Sequence, residues 1–244
     1  YKAVRMFNYK DGLGLEQEAL KGVCEVEEHV CSTEDDIIKY CQDADAVMGI
    51  FEPLTARVIN SLPKLKLIAC KSMGYNYVDL EAAKARGISV THLRSAFSID
   101  VADYVTACIL AHNKRLFAYD RSVRRDKKWD YSVCPDIHRF NAETVGLAGF
   151  GQIARLVAKN LSGFGVRILA ADPYIDQSIG DQYPDLNTHP LANRDNVILT
   201  PHVAFYSQES ARDGRLQCCA DIRNYFTGNY DKCVFVPGGN NVQK

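Results

Sequence analysis

The stretch TVGLAGFGQIARLVA, residues 144–158, places an apolar strand-like run, a glycine-rich turn and a helical pattern in direct succession. Within it, Gly149-x-Gly151-x-x-Ala154 fits the dinucleotide fingerprint G-x-G-x-x-G/A. In this pattern the first glycine permits the tight turn, the second leaves room for a pyrophosphate, and the small third residue lets the helix pack close to the strand. The order of strand, turn and helix predicts a dinucleotide-binding unit, and a merely glycine-rich turn is the alternative.

The residues around this turn also bear on which dinucleotide is bound. The helix begins near Gln152 and Ile153, where unpaired N–H groups and the partial positive charge of a helix start suit phosphate oxygens. A second apolar strand, residues 167–171, is followed by Asp172 and Pro173. A carboxylate there accepts hydrogen bonds from the ribose hydroxyls of NAD and repels the extra phosphate of NADP. The sequence therefore favours NAD as the cofactor, and a solvated turn aspartate is the alternative for Asp172.

Strand-like and helix-like segments alternate along the rest of the chain. Short apolar runs that we interpret as strands lie at 4–7, 23–29, 46–50, 65–70, 88–92 and 197–200. Thr33 with Asp36 is typical of a helix capping box, and the segment from Asp79 to Gly87 runs from an N-cap to a C-terminal glycine. This alternation predicts an α/β fold with parallel sheets that are covered by helices on both faces.

Two longer helical patterns follow the first set of strands. One begins at Ser98, a candidate N-cap, and continues to about Arg125, so we expect a single connector helix between two lobes. It ends in a basic cluster that we interpret as a solvated helix end. The other begins after Ser207, a candidate cap, and continues to about Phe226.

Composition excludes several classes of protein. The 244 residues carry a formal net charge of -1 and are 47% hydrophobic, which is typical of a globular protein. The near-neutral balance argues against nucleic acid as the main partner, since phosphate binding needs an excess of Lys and Arg. No apolar run approaches the roughly 18 residues that cross a bilayer. The first residues lack an initiator Met and resemble no signal peptide, so we expect a cytoplasmic-type protein whose sequence begins inside the true chain.

The nine cysteines predict neither a disulfide framework nor a metal site. Their number is odd, no Cys-x-x-Cys occurs, and they are scattered through apolar segments. Cys108 and His112 lie four residues apart on a helical pattern, but no second pair of ligands is close in sequence. We expect buried free thiols and no metal.

Several stretches together resemble the D-isomer-specific 2-hydroxyacid dehydrogenases, and most closely the branch that acts on D-lactate and D-2-hydroxyisocaproate. The similar stretches are Pro53–Thr55, Leu62–Lys66, Ser72–Asp79, Val101–Asp103, Val145–Gly151 and Asp195–Ala204. The resemblance implies two parallel-sheet lobes, a flavodoxin-like substrate lobe and an inserted NAD-binding Rossmann lobe, with the active site in the cleft between them. It assigns residues 1–97 to the substrate lobe, 98–206 to the nucleotide lobe, and 207–244 to a closing helix and the return to the substrate lobe. It also implies a homodimer formed through the nucleotide lobes.

The resemblance implies that His202 is the general acid and base. Reduction of a 2-keto acid moves a hydride to the keto carbon and a proton to its oxygen, and histidine titrates near neutral pH without special tuning. His202 also follows the last predicted strand, at the carboxyl edge where open parallel sheets place ligands. A loop histidine bonded to backbone is the alternative. The other five histidines match no family motif, and we assign them structural roles.

The resemblance further implies that backbone N–H groups of Ser72, Met73, Gly74 and Tyr75 hold the substrate carboxylate. A glycine in a loop just past a strand lets the backbone approach an anion closely, although a plain turn is the alternative. Phe205, which follows His202, and Phe51, which precedes the family motif at Pro53, place bulky groups where the substrate side chain is expected. Core packing is the alternative for both rings.

The sequence departs from the family at one place. The family carries a carboxylate-binding Arg and a Glu that bonds the catalytic His between the second Rossmann strand and the strand before that His. Here this interval shrinks to Tyr174–Asn196, which is polar and lacks roughly seventy to eighty residues of strand and helix. The strand at 197–199 would lose its sheet neighbours, so we expect a missing segment between about residues 175 and 183. An unbroken Cα spacing of about 3.8 Å from 172 to 185 would contradict this.

The resemblance implies an NAD-dependent enzyme that interconverts a 2-keto acid and a D-2-hydroxy acid, with a lactate-like or hydroxyisocaproate-like substrate. A glyoxylate/hydroxypyruvate or phosphoglycerate type is one alternative, although such an enzyme is expected to have a more polar substrate pocket. An NAD(H)-sensing corepressor with little turnover is an alternative from another class. If the missing segment is a true deletion, we expect no catalysis.

Overall fold

The computed structural model describes residues 1–171 and 202–235. The chain divides into two compact units, and the division falls between Ala96 and Phe97 and again between Ser207 and Gln208. The first unit therefore combines two segments that are distant in sequence. The assignment of substrate and nucleotide binding to these units stays a prediction.

The first unit contains a five-stranded parallel sheet. Its strands are β1 (Lys2–Arg5), β2 (Glu25–Glu28), β3 (Ala46–Gly49), β4 (Leu67–Cys70) and β5 (Ser89–His92). Their spatial order is β2-β1-β3-β4-β5, which is the flavodoxin-like order. The order reverses between β1 and β3, and open α/β sheets bind ligands at the carboxyl ends of strands near such a point. The loops that follow β1 and β3 flank this point, and the loop that follows β4 is on the next strand along the same edge.

Helices connect and cover these strands. They are α1 (Gly14–Ala19), α2 (Glu34–Tyr40), α3 (Ala56–Ser61), α4 (Leu80–Ala85) and, near the end of the chain, α8 (Gln208–Phe226). The predicted capping box is confirmed, since Thr33 and Asp36 bond each other's backbone N–H. The predicted N-cap Asp79 is confirmed as well, and Gly87 follows the helix at φ +67°, as a C-terminal glycine should.

The core of the first unit lies on both faces of the sheet. Alternate residues of β4 contribute to different clusters: Ile68 and Cys70 pack with α2, α3 and α4, while Leu67 and Ala69 pack with the α8 residues Cys218 and Ile222. All four residues of β4 are buried. A parallel sheet that is covered by helices on both faces has no solvent-exposed side, and the sequence of this strand is therefore continuously apolar.

The second unit contains a two-stranded parallel sheet among its described residues. Its elements are α5 (Ser98–Asn113), α6 (Leu116–Arg124), β6 (Thr144–Ala148), α7 (Gln152–Ser162) and β7 (Arg167–Ala171), with short 3-10 turns at Tyr131–Val133 and Phe140–Ala142. Its core joins Ala102 of α5 to Val157 and Leu161 of α7. The α/β fold class with parallel sheets is thus confirmed.

The expectation of one long helix from Ser98 to Arg125 is wrong. The helix ends at Asn113, and Arg115 takes a left-handed backbone conformation with φ +53° before α6 begins. A left-handed residue cannot continue a right-handed helix, so the chain changes direction there. The predicted N-cap is also shifted, since Phe97 is the N-cap and Ser98 is the first helical residue.

Two further findings concern the whole described chain. All nine cysteines are free and seven of them are buried. Within residues 1–171 and 202–235, no helix has the length and apolar character needed to span a bilayer.

Candidate functional site

The loop Ser72–Tyr75 follows β4 at the carboxyl edge of the first sheet. The Ser72 side chain is buried, whereas Gly74 is exposed. The N–H groups of Ser72, Met73, Gly74 and Tyr75 donate no hydrogen bond to any described residue. Unbonded backbone N–H groups are available as hydrogen-bond donors to an anion such as a carboxylate.

Two hydroxyl groups fix the shape of this loop. Ser72 Oγ donates to the carbonyl oxygen of Gly74 at 2.7 Å and lies 2.8 Å from Tyr77 Oη. The Tyr77 hydroxyl also lies 3.2 Å from the carbonyl oxygen of Gly49, which can accept its proton when Ser72 donates to Tyr77. Burial raises the pKa of Tyr77, so the phenol remains a neutral donor. Tyr77 therefore lies between the loop and the end of β3.

His92, which the sequence assigned a structural role, also contacts this loop. Its Nδ1 donates to the carbonyl oxygen of Met73 at 2.8 Å, and its ring lies edge to face against Tyr75 with centroids 5.0 Å apart. Cys70 and His92 are paired at the ends of β4 and β5. The sequence did contain a signal for this contact, because neighbouring parallel strands bring their carboxyl ends together.

Phe51 lies in the loop that follows β3, as the sequence predicted. Its ring is 62% exposed and stands edge to face against Tyr77, with centroids 6.2 Å apart. The Glu52 carboxylate accepts hydrogen bonds from the N–H groups of Ile50 and Phe51 at 2.6 and 3.1 Å. The loop is thus held by its own acidic side chain while an apolar ring faces solvent.

A buried cationic cluster lies beside the loop and was missed by the sequence reasoning. Lys71 Nζ and the Arg215 guanidinium approach the Tyr9 ring at 5.2 and 4.6 Å, and Arg5 approaches it at 5.5 Å. Burial lowers the pKa of Lys71. The Glu16 carboxylate forms ion pairs with two of these cations, Arg5 at 2.6 Å and Arg215 at 2.7 Å. No single motif marks this cluster, because its members come from β1, α1, β4 and α8.

The glycine turn of the second unit has the geometry that the fingerprint demands. Gly149 takes φ +83°, which a residue with a side chain rarely adopts, and Gly151 is the N-cap of α7. A Cβ added at Gly149 or Gly151 would meet no atom within 4 Å. Among the described residues, no side chain caps Gly151, so the N–H groups of Gln152 and Ile153 at the helix start have no capping partner there. This open cradle fits a pyrophosphate group.

His202 and Phe205 lie together in the second unit. The His202 side chain is exposed and its backbone takes φ +52°. The Phe205 ring lies 6.0 Å from the His202 ring and 5.4 Å from the ring of Phe97, which is buried. A left-handed histidine is uncommon, and such strain clusters at functional sites. Phe97 was not predicted for this group, and its position just before α5 gave no sign of it.

Some predicted features lie outside the described residues. These are Asp172, Pro173, the strand at 197–200 and the expected break between 175 and 183. Among the residues that the structure does describe, no group of three or more His, Cys, Asp or Glu side chains is arranged to hold a metal ion.

Comparison with known proteins gives a consistent result. The family model for the D-isomer specific 2-hydroxyacid dehydrogenase catalytic domain matches residues 10–234. A glyoxylate reductase from Thermofilum pendens is 31% identical over 163 residues, which are 63% of this chain and 47% of that protein. A glycerate dehydrogenase from Methylorubrum extorquens is 31% identical over 154 residues, which are 61% of this chain and 49% of that protein. The chain thus spans about half the length of these curated relatives.

The fold is also similar to solved structures. A crystal structure of D-lactate dehydrogenase from Aquifex aeolicus, complexed with NAD and lactic acid, covers 95% of this chain and 97% of its own. The TM-score is 0.73 and the sequence identity is 19%. A likeness at this identity shows a shared fold.

Proposed function

The chain belongs to the D-isomer specific 2-hydroxyacid dehydrogenase family, and on that premise we propose that the protein interconverts a 2-keto acid and a D-2-hydroxy acid with NAD(H). The observation that carries the proposal is the Ser72–Tyr75 loop, whose backbone N–H groups are unbonded among the described residues. Four unbonded N–H groups in a loop just after a strand are available to a carboxylate, which every 2-keto acid carries. A fold alone would not support an activity.

The Gly149–Ile153 turn is proposed to hold the pyrophosphate of the coenzyme. The open space at Gly151 and the uncapped start of α7 support this. Asp172 is proposed to accept the ribose hydroxyls, with Pro173 beside it, which favours NAD over NADP. When bound, the nicotinamide supplies or accepts the hydride.

His202 is proposed to carry the proton. An imidazolium can donate a proton to the keto oxygen during reduction, and the neutral ring can take one from the alcohol during oxidation. The side chain is exposed, and Phe205 packs near its ring. Phe205 is proposed to restrict the imidazole and to offer apolar surface beside it.

We propose an apolar substrate side chain, as in D-lactate or D-2-hydroxyisocaproate. The exposed Phe51 ring and the Phe205 ring support this, because both offer apolar surface. A glyoxylate, hydroxypyruvate or phosphoglycerate type is the second candidate, and the similarity to glyoxylate reductase and glycerate dehydrogenase favours it.

NADH oxidation with pyruvate, 2-ketoisocaproate, glyoxylate and hydroxypyruvate tests these proposals. We expect the highest kcat/KM with an apolar acid. A preference for glyoxylate or hydroxypyruvate would select the second candidate. Rates no higher than the protein-free blank, together with tight NADH binding, would instead favour an NAD(H)-sensing protein.

The interval Tyr174–Asn196 decides whether turnover is expected. It lacks the Arg and Glu that the resemblance implies, of which the Arg is expected to bind the substrate carboxylate and the Glu to hydrogen-bond the catalytic histidine. We propose that the native protein carries them in an additional segment. The mass of the purified native protein tests this, since a chain of 244 residues has a mass of 27.3 kDa. A native protein of that mass should bind coenzyme without turnover.

We also propose a cytoplasmic homodimer. Its interface would include the apolar side chains around α6, where Trp129 is 92% exposed and Tyr131 is 90% exposed. Aromatic side chains are enriched at protein interfaces. The nine free cysteines support a reducing compartment.

A further inference from the structure

We propose that the Tyr77 hydroxyl is a positioning group of the substrate site, which holds the Ser72–Tyr75 loop in its anion-binding shape through its hydrogen bond with the Ser72 hydroxyl. The inference rests on the proposed function for its substrate, but the anchoring of the loop can be tested without it. Tyr77 itself is not expected to touch the reacting atoms.

The protons available to the two hydroxyl groups show that the bond between Tyr77 and Ser72 is the central one. Each hydroxyl has one proton, yet the two groups make three oxygen–oxygen contacts: with each other at 2.8 Å, from Ser72 to Gly74 at 2.7 Å, and from Tyr77 to Gly49 at 3.2 Å. Two arrangements satisfy the bond between the hydroxyls. In one, Tyr77 donates to Ser72 and Ser72 donates to Gly74.

In the other arrangement, Ser72 donates to Tyr77 and Tyr77 donates to Gly49. Both arrangements keep the bond between Tyr77 and Ser72, and they differ only in which backbone carbonyl is bonded. The Ser72 side chain is buried, so loss of its partner would leave a polar atom with poor access to water. The bond between Tyr77 and Ser72 is therefore the constant contact, and in the second arrangement Tyr77 also joins the loop to the carboxyl end of β3.

The surroundings of Tyr77 allow the hydroxyl to be removed by itself. The Tyr77 ring contacts the Phe51 ring edge to face, and Val78, next in sequence, is buried in the core. Tyr77→Phe keeps the ring and its contact with Phe51 and deletes only the oxygen. Ser72→Ala deletes the partner. Tyr40→Phe is the matched control, because among the described residues the Tyr40 hydroxyl accepts a hydrogen bond from the exposed Lys39 ammonium alone, at 3.2 Å.

Amide exchange reports on the anchoring. The N–H of Val78 donates to the carbonyl of Tyr75 at 3.0 Å, and the N–H of Leu93 donates to the carbonyl of Ser72 at 2.9 Å. We expect Tyr77→Phe to raise the exchange rates of both amides by about fivefold or more, the equivalent of one net hydrogen bond. We expect Ser72→Ala to act similarly, the double variant to add little, and Tyr40→Phe to leave the rates unchanged. Unchanged rates in Tyr77→Phe would overturn the proposal.

Binding of oxamate, an unreactive isostere of pyruvate, reports on the role at the site. In the presence of NADH, Tyr77→Phe should raise the Kd of oxamate by about fivefold while the Kd of NADH stays the same. A merely structural residue would lower the melting temperature and leave the Kd of oxamate unchanged, and that result would overturn the positioning role. Wild-type protein that binds NADH but no keto acid or oxamate contradicts the proposed function, and the exchange rates then still decide whether Tyr77 anchors the loop.

Discussion

The two carboxylate oxygens of Glu16 each lie 2.7 Å from a guanidinium nitrogen of Arg215, although the two residues are 199 positions apart in the chain. Glu16 is 1% exposed and the Arg215 side chain is 5% exposed. Arg5 at the end of β1 donates to the same carboxylate at 2.6 Å, and it also pairs with Glu28 of β2. This network joins both sequence segments of the first unit.

Loss of Arg215 should destabilise the protein strongly. Arg215→Met leaves the buried Glu16 carboxylate with less compensation, and breaking a buried ion pair costs about 3–5 kcal/mol. Urea unfolding monitored by circular dichroism measures the change. Arg212→Met, at an exposed position of the same helix, is the control and should change the free energy of unfolding by less than about 0.5 kcal/mol. Equal losses from both variants would contradict the role of the network.

Acid should weaken the same network. Burial opposes ionisation of Glu16, but the hydrogen bonds from Arg215 and Arg5 outweigh it and hold the pKa of Glu16 below the ordinary value of 4.5. A lowered folded-state pKa means that Glu16 contributes stability above pH 4.5 and loses it as the pH falls through the folded value. The difference in unfolding free energy between wild type and Glu16→Gln should therefore shrink below pH 4.5. A difference that is constant from neutral pH into this acid range would argue against it.

The two glycines of the turn should respond differently to alanine. Gly151 has an ordinary φ of −69° and open space around it, so Gly151→Ala should leave the melting temperature nearly unchanged and weaken NADH binding. Gly149 has φ +83°, so Gly149→Ala should cost about 1–2 kcal/mol of stability as well. Thermal unfolding and NADH fluorescence titration measure the two effects. NADH affinity that is unaffected by Gly151→Ala would exclude this turn as the pyrophosphate site.

Replacement of His202 should abolish turnover and spare coenzyme binding. Asparagine tolerates the left-handed backbone found at this position, so His202→Asn removes the imidazole with little added strain. In the native protein we expect kcat to fall by about 100-fold to 10,000-fold, the usual contribution of general acid–base catalysis. His112→Gln, at an exposed position on α5, is the control and should retain activity. A His202→Asn variant with wild-type kcat would rule out the assigned role.

Trp129 should report on dimer formation. It is the only tryptophan of the chain and is 92% exposed, so burial in an interface should shift its fluorescence to shorter wavelength as the protein concentration rises. Tyr131→Ser should weaken the dimer in sedimentation equilibrium. Wild-type protein that remains monomeric at tens of micromolar, with unshifted emission, would exclude this interface.

Much of the fold could be predicted from local patterns. The apolar runs of the first unit fall on the five observed strands, and the pairs Thr33–Asp36 and Asp79–Gly87 mark helix ends because capping is a contact between near neighbours in sequence. The break at Arg115 was not predicted, because the helical pattern continues on both sides of a single left-handed residue.

The candidate site was predicted where its chemistry lies in one short segment. The loop Ser72–Tyr75 and the turn Gly149–Gly151 follow strands, so their position could be predicted from their motifs, and their roles stay proposals. His92 and Tyr77 were not recognised as partners of the loop, since their contacts depend on which strands lie side by side.

The sequence by itself determined the α/β class, the helix caps, the glycine turn and the residues able to bind an anion or move a proton, because each depends on side-chain chemistry within about one turn or strand. Only the tertiary structure decided the strand order, the pairing of Arg215 with Glu16 and the contacts of Tyr77 with Ser72 and Gly49. Burial of apolar surface is non-directional and does not choose partners. Partners are set by strand order and register, which bring together residues that no local pattern connects.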